Sequence, residues 1–229
     1  MNGLAVRTIA EEQMDAPDLD PAVYAAVLTD LGKVNRVVMT ARPTLAFLAR
    51  ATRGLRRFSL LDVGFGDGGM LRTIARWASK RGIEAELHGV DLNTNSVAVA
   101  QAASAGYAID YHAGDYADRP DADFIISSLV AHHMTHDQLV AFVAHMERHA
   151  TLGWFVNDLL RSNFAYRGYP LLARLMRWHP IVRADGQLSI ARSYRPEEWP
   201  PMLAEAGVAP GTARILKPFP FRLCVERLH

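Results

Sequence analysis

Cysteine is nearly absent from this chain. The single one, Cys224, excludes an internal disulfide framework and a metal site built from cysteines. It lies in the apolar run Leu223-Cys224-Val225 and is expected to be a buried strand residue. An excess of charge of one sign is also missing. Lys and Arg number 25 against 24 Asp and Glu, so the formal net charge is +1 and nothing electrostatic points to nucleic acid as the main partner. Arg53, Arg56 and Arg57 read as a solvated helix end rather than a phosphate-binding patch. No apolar run approaches the ~20 residues needed to cross a bilayer. The first twenty residues carry Glu11, Glu12, Asp15, Asp18 and Asp20, which is not the pattern of a secretory leader, and a soluble cytoplasmic protein is expected. Internal repeats and low-complexity stretches are absent too. What is present is 229 residues, 50% of them hydrophobic: enough for one large domain with a substantial core, with or without a helical accessory.

The chain is organised around Leu60-Leu61-Asp62-Val63-Gly64-Phe65-Gly66-Asp67-Gly68-Gly69-Met70. Ser59 to Val63 is a short apolar run that carries an acid near its end and then breaks into glycines. Met70, Leu71, Ile74, Ala75 and Trp77 follow at helical spacing. A strand, a tight turn and a helix start are predicted. Glycines suit a sharp bend against which a ligand lies on bare backbone, and the helix start offers unpaired N–H groups and a partial positive charge. Gly64-x-Gly66-x-x-Gly69 fits a dinucleotide fingerprint, while Gly64-x-Gly66-x-Gly68 fits the shorter pattern of S-adenosylmethionine (AdoMet) enzymes. Asp62 discriminates between them: a carboxylate there repels a pyrophosphate and attracts the ammonium group of AdoMet. On these residues the chain resembles the class I AdoMet-dependent methyltransferases, whose first motif reads acid-x-Gly-x-Gly-x-Gly.

The rest of the pattern agrees with that resemblance. Residues 1–19 are acidic and irregular and are expected to pack loosely. Asp20-Pro21 reads as a helix start, and residues 1–57 as a helical lid or extension of two or three helices. Asn35-Arg36 within it could face a ligand or solvent. From residue 58 strands and helices alternate, with strands at Ser59–Val63, Ala85–Val90, Tyr107–Tyr111, Asp123–Ser128 and Leu152–Asp158. Such alternation predicts a parallel sheet covered on both faces. A helical stretch, Asn163–Trp178, is expected to restart at Pro170, followed by a loop over Pro180–Ser193. Ala213–Leu216 and Phe221–Val225 read as an antiparallel ending. The fold class expected is α/β: a Rossmann-like, seven-stranded, mostly parallel sheet with a terminal antiparallel strand, helices on both faces and an N-terminal helical lid. Residues 58–229 form the AdoMet-binding domain, with a substrate-side helical insertion at about 160–195. A nicotinamide dehydrogenase would need a further substrate domain, for which no residues remain.

Candidate site residues fall at strand ends, where open α/β sheets bind ligands. For the cofactor, AdoMet with S-adenosylhomocysteine as product, they are Asp62, Gly64, Gly66 and Gly68. Asp91 could accept the ribose hydroxyls or cap the next helix, and Leu92 could pack on adenine. By resemblance Asp115 and Tyr116 meet the adenine amino group and ring, although Gly114-Asp115 also reads as an ordinary turn. Ser127 and Ser128 end the fourth strand, where the family's backbone meets the methionine part.

The acceptor side begins at Leu129-Val130-Ala131-His132-His133-Met134-Thr135-His136-Asp137. His133 and His132 are the candidate catalytic groups, since a neutral imidazole suits a general base; either could instead brace the loop. His132, His133 and His136 lie close in sequence, but no carboxylate arrangement completes a recognisable ligand set, and no metal is expected. Asp158, Arg161, Phe164, Tyr166 and Tyr169 are candidates for the substrate wall, with Asp158 able to orient either the substrate or a histidine. The set Asp18-Leu19-Asp20, Val34-Asn35-Arg36, His132-His133, Asn157-Asp158-Leu159 with Arg161, and Asp185-Gly186-x-Leu188-Ser189 resembles small-molecule methyltransferases found with polyketide or quinone pathways. The resemblance implies O-methylation of a phenolic or other aromatic acceptor. C- or N-methylation and a non-catalytic AdoMet-binding protein remain as alternatives, and monomer and homodimer stay open.

Overall fold

A computed structural model describes residues 4–16 and 18–229. Seven strands form one sheet: β1 (Arg57–Val63), β2 (Glu84–Asp91), β3 (Ile109–Ala113), β4 (Ala122–Ser128), β5 (Ala150–Leu159), β6 (Ala213–Leu216) and β7 (Arg222–Leu228). Their order is β3-β2-β1-β4-β5-β7-β6. The first five pair in parallel, and β7 runs antiparallel to both β5 and β6. This is the expected fold class, with one addition. The last strand of the chain does not lie at the edge; it inserts between β5 and β6, which places Arg222 opposite Leu159 at the carboxyl end of β5.

Among the described residues eight α-helices surround the sheet: α1 (Pro21–Val37), α2 (Ala41–Ala51), α3 (Gly69–Ser79), α4 (Thr94–Ala103), α5 (His136–His149), α6 (Asn163–Leu175), α7 (Pro180–Arg192) and α8 (Trp199–Glu205). Because successive strand residues point to opposite faces, neighbours in sequence serve two different cores. Leu60, Phe124 and Phe155 pack with Phe47, Leu48, Leu71 and Ile74 of α2 and α3. Leu61, Ile125 and Val156 pack with Phe142 and Met146 of α5 and with Trp199 and Met202 of α8. Burial on both faces explains why these strands read as unbroken apolar runs. A third cluster joins α1 to the α6–α7 hairpin through Val27, Val34, Ala173, Trp178 and Val182. Helix α1 starts as expected: Pro21 occupies its first turn, and Asp20 accepts from the Ala22 and Val23 backbone N–H groups at 2.8 and 3.2 Å.

Three expectations fail, each for a reason that lies far away in sequence. Residues 4–16 are not loosely packed. The Thr8 N–H donates to Ala191 O, Arg195 donates to Leu4 O, and Asp185 accepts from the Gln13 and Met14 N–H groups. Pro180–Arg192 is a helix rather than a loop. Asp185-Gly186 reads as a turn, yet Gly186 is helical, and the Tyr169 ring fills the place where its Cβ would lie. Finally, Pro170 does not restart α6. It leaves the Tyr166 carbonyl without its usual i+4 donor, and Gln187 from α7 supplies one, Nε2 to Tyr166 O at 3.0 Å. Replacing Gln187 by Ala orphans that carbonyl. The Gln187→Ala chain is expected to lose about 1–2 kcal/mol of stability, read as a lower urea midpoint at unchanged slope.

Candidate functional site

The glycine turn is built by its acids. Asp67 accepts from the Gly69 N–H at 3.0 Å and pairs with Arg72 at 2.9 Å. Asp91, at the end of β2, accepts from the Gly66 N–H at 3.0 Å and the Asn93 N–H at 2.9 Å. Each carboxylate oxygen has a second lone pair left for a ligand hydroxyl, and Asn93, not Asp91, caps α4. Gly64, Gly66 and Gly68 all have positive φ, at 77°, 55° and 73°, which favours glycine on backbone grounds alone. The space in front of two of them belongs to the protein. A Cβ on Gly64 would strike Val130 Cγ2, and one on Gly68 would strike the Tyr111 hydroxyl. Only Gly66, whose nearest neighbour would be Leu28 at 3.8 Å, has the open approach the sequence argument assigned to all three. Leu28 places α1 across the turn, as do Gly32 near Asp67 and the Tyr24–Ser96 hydroxyl pair at 2.8 Å.

Asp62 is 1% exposed, and its Oδ1 has no partner within the protein. Burial, with Asp91 and Asp67 nearby, pushes its carboxyl well above the usual range. A buried, unpaired carboxylate beside a glycine turn is the feature an ammonium group would satisfy. Ser128 Oγ, at the end of β4, is likewise buried without a partner, whereas Ser127 donates to Val63 O at 3.1 Å. Leu92 is 79% exposed beside Asp91. Asp115 caps a short 3₁₀ turn by accepting from the Ala117 N–H at 2.9 Å, and Tyr116 packs edge-on against Phe142 and His145.

The second half of the site forms where the loop after β4 meets β5 and the N-terminal segment. His132 is buried. Its Nδ1 lies 2.7 Å from Asp158 Oδ1, and its backbone N–H donates to Asp158 Oδ2 at 2.7 Å. Its Nε2 faces Glu12 Oε1 at 3.5 Å. Burial alone would lower the pKa of this imidazole, but Asp158 and Glu12 outweigh it and raise the value to about 9. A ring held protonated with carboxylates on both nitrogens does not suit a general base, so the setting speaks against that role for His132. His133 is partly exposed, with Nδ1 2.9 Å from Asp15 and Nε2 3.8 Å from Glu12 Oε1. Arg7 and Arg192 close the corner by donating to backbone carbonyls, including His132 O, Met134 O and His133 O.

The carboxylate that local spacing does not provide to the histidines is therefore supplied by Glu12, more than a hundred residues upstream. Glu12, Asp15, Ser189 and Arg192 were not singled out for this site. The acidic Glu11-Glu12-x-Met14-Asp15 run was the available signal. His136 turns away and pairs with Glu205.

The remaining candidates separate. Arg161 is buried, with Nη2 on Glu198 at 2.6 Å and Nη1 on Ser193 O at 3.2 Å, so it fastens the start of α8 while its Nε stays without a protein partner. Tyr169 donates to Val182 O at 2.7 Å and packs near Trp178 in the α6–α7 hairpin, which makes it a core residue. Tyr166 is partly buried, and Phe164 is 74% exposed and stacked on Phe221 at 5.4 Å. Within the lid, Arg36 is exposed and Asn35 binds the Thr40 hydroxyl. Arg222 went unnoticed in the sequence. It is 2% exposed, donates one bond to Thr40 Oγ1 at 2.6 Å, and leaves Nε and Nη1 without protein partners. A cavity of about 310 Å³ lies elsewhere, between α2 and the β6–β7 corner, lined by Arg42, Phe155, Phe219 and Glu226 but by no residue of the glycine turn.

Residues 60–153 match the family model of a methyltransferase domain. Among solved structures, the chain is similar to the plantazolicin methyltransferase BpumL in complex with a triazolic desmethylPZN analog and SAH. That match has 12% identity and a TM-score of 0.68 over 88% of this chain and 89% of that one. A SAM-dependent methyltransferase from Aquifex aeolicus matches at 17% identity and a TM-score of 0.63, over 92% and 99% of the two chains. Magnesium protoporphyrin IX methyltransferase (ChlM) from Synechocystis PCC 6803 matches at 16% and 0.57, over 95% and 91%. No relative among curated proteins matches the sequence. At these identities the structural likeness is one of fold. The fold is the one shared by these methyltransferases, of which BpumL and ChlM were solved with SAH or SAM bound, and residues 60–153 match a methyltransferase domain within it.

A carboxyl group whose pKa is raised by folding stabilises the folded chain at low pH, and that contribution fades as pH rises through the folded value. Without donor, Asp62→Asn is therefore expected to be more stable than the native chain at pH 8 and not at pH 4, as measured by urea unfolding. The same variant should bind AdoMet roughly tenfold more weakly or worse, since a charge-assisted contact is lost. Calorimetry showing native affinity would remove Asp62 from the cofactor site.

Proposed function

We propose that this methyltransferase acts on a small aromatic acceptor and methylates oxygen. The single observation that carries the oxygen reading is Arg222, buried at the carboxyl edge of the sheet with two guanidinium nitrogens unpaired. It stands opposite Leu159 and within the field of Asp158. A phenol develops negative charge on oxygen as its proton leaves, and a fixed cation in a dry site stabilises that charge. An amine nucleophile gains nothing from such a neighbour.

AdoMet supplies a methyl group on a positive sulfur, open to in-line displacement. The residues of this chain have three tasks beside it. Asp62 and the Gly66 region hold the donor's amino-acid end, with Ser128 Oγ free to add a hydrogen bond. Asp91 accepts the ribose hydroxyls, and Leu92, Asp115 and Tyr116 flank the adenine. Helix α1 and residues 4–16 close over the strand ends and exclude water, which strengthens every charge inside. Phe164, with Phe221, offers an apolar wall to a flat acceptor; Tyr166 stands beside it. The neighbours' names include an azole-bearing analogue and a magnesium porphyrin. Acceptors so different on one fold mean that the chain's own wall, not the fold, selects the substrate.

Removing a single oxyanion donor costs on the order of 100-fold in turnover. Arg222→Met is expected to lose about that much kcat, to keep AdoMet affinity, and to melt no lower than the native chain, because a buried unpaired cation is gone. A loss of stability with kcat unchanged would make Arg222 purely structural. Incubation with AdoMet and a panel of phenols, anilines and acidic-carbon acceptors checks the reaction itself. Product NMR should place the new methyl on oxygen, and S-adenosylhomocysteine should form in step; methyl on carbon or nitrogen overturns the oxygen reading.

A further inference from the structure

Two imidazoles and a carboxylate meet at one point behind the N-terminal segment. Glu12 Oε1, His132 Nε2 and His133 Nε2 all lie within 4.8 Å of one another. Glu12 Oε1 sits 3.5 Å from the first ring nitrogen and 3.8 Å from the second. Both separations exceed the 2.7–3.2 Å of a good N–H···O bond. They lie close to the edge of a metal tetrahedron, which is roughly 3.3 Å when metal–ligand bonds are about 2.0–2.1 Å. The opposite nitrogens are already committed. His132 Nδ1 is 2.7 Å from Asp158 and His133 Nδ1 is 2.9 Å from Asp15. A carboxylate on each Nδ1 keeps a proton there, so an ion that displaces any Nε2 proton to solvent meets a lone pair aimed at Glu12, the usual support behind metal-bound histidines. Glu12 is itself oriented by the Ser189 hydroxyl at 2.8 Å. Three carboxylates around two imidazoles also make a cluster that a dication would offset.

We propose that Glu12, His132 and His133 form a binding site for a divalent transition metal, with Zn²⁺ as the fitting ion. Two imidazoles and one carboxylate match its preferred donors and leave a fourth position open. Of the three ligands His133 is the partly exposed one. The ion ties residues 4–16 to the loop after β4, so the lid is clasped by coordination as well as by hydrogen bonds. With both Nε2 atoms engaged, neither histidine acts as a free base.

The test uses the full chain without a histidine tag, stripped by chelator and titrated with Zn²⁺ in a calorimeter. One equivalent is expected to bind, and added Zn²⁺ should raise the melting temperature. Co²⁺ in its place should show the absorption of a four-coordinate ion. Glu12→Gln and His133→Ala are expected to abolish the one-equivalent step, and Asp15→Asn to weaken it roughly 10–100-fold. His133→Ala changes a partly exposed ring, so it remains informative if Glu12→Gln does not fold. His149→Ala alters the other stacked histidine pair, with His145 and Asp121, and should leave binding intact. No saturable step with the native chain overturns the site. So does a step that survives both ligand variants, or one that disappears with His149. None of these readouts depends on methyl transfer, so the acceptor can be wrong while the metal site stands.

Discussion

A carboxylate that water cannot reach governs this molecule. Asp62 sits near the end of β1, flanked by Gly89 on β2 and Ile126 on β4, with an oxygen that no protein group satisfies. Burying a charge without a partner is costly, and two further acids, Asp67 and Asp91, add to the strain. The surroundings fix this arrangement instead of relieving it. Asp67 and Asp91 spend hydrogen bonds on the turn's own backbone, and Val130 and Tyr111 occupy the places that side chains at Gly64 and Gly68 would take. The turn is thus held rigid by protein while its negative centre stays unpaired. A cationic ligand finds the site already shaped, and binding relieves a cost that folding left in place.

Val130 also links the two halves of the site. It touches Gly64, and two residues later the same loop presents His132 to Asp158. The glycine turn and the His132–Asp158 pair are therefore one short segment apart, and a shift in either one reaches the other through packed atoms. The N-terminal segment completes this segment from outside. Arg7 donates to the carbonyls of His132 and Met134, and Arg192 to His133 O, so the loop's backbone is fixed from both sides. A segment stitched by so many polar contacts to α7 and to this loop is part of the packed structure, not an appendage.

What could be read in advance divides along contact range. The turn after β1 was legible because the period changes from strand to helix within a few residues around the glycines. The start of α1 was legible because Asp20-Pro21 acts on its own next two residues. The sheet was legible because strands buried on both faces carry unbroken apolar runs. Glu12 was hidden for the opposite reason: its acidic run marks a charge, but its partners are His132 and Ser189, far along the chain. Arg161 looked free because Glu198, which occupies it, lies 37 residues on. Helix α7 was hidden by Asp185-Gly186, a pair that marks a turn unless an aromatic ring, here Tyr169, demands a residue with no side chain. Pro170 misled in the same way, since its cost is cancelled by a side chain from another helix.

The end of β5 shows how one strand serves both halves. Asn157 and Asp158 are adjacent, so they point to opposite faces. Asn157 donates to Thr40 O at 2.8 Å and Thr44 Oγ1 at 3.2 Å, fastening α2 and the end of the lid. Asp158 turns the other way to His132. Thr40 in turn accepts from Arg222 on β7, beside the same strand end. A slip of one residue in the β5 register would send the amide to the histidine and the carboxylate under α2. Antiparallel β7 blocks that slip by pairing from Gly153 to Leu159 along β5. The position of the last strand, between β5 and β6, therefore does two things. It brings a buried cation to the carboxyl edge of the sheet and locks the alternation that aims Asp158 at its ring.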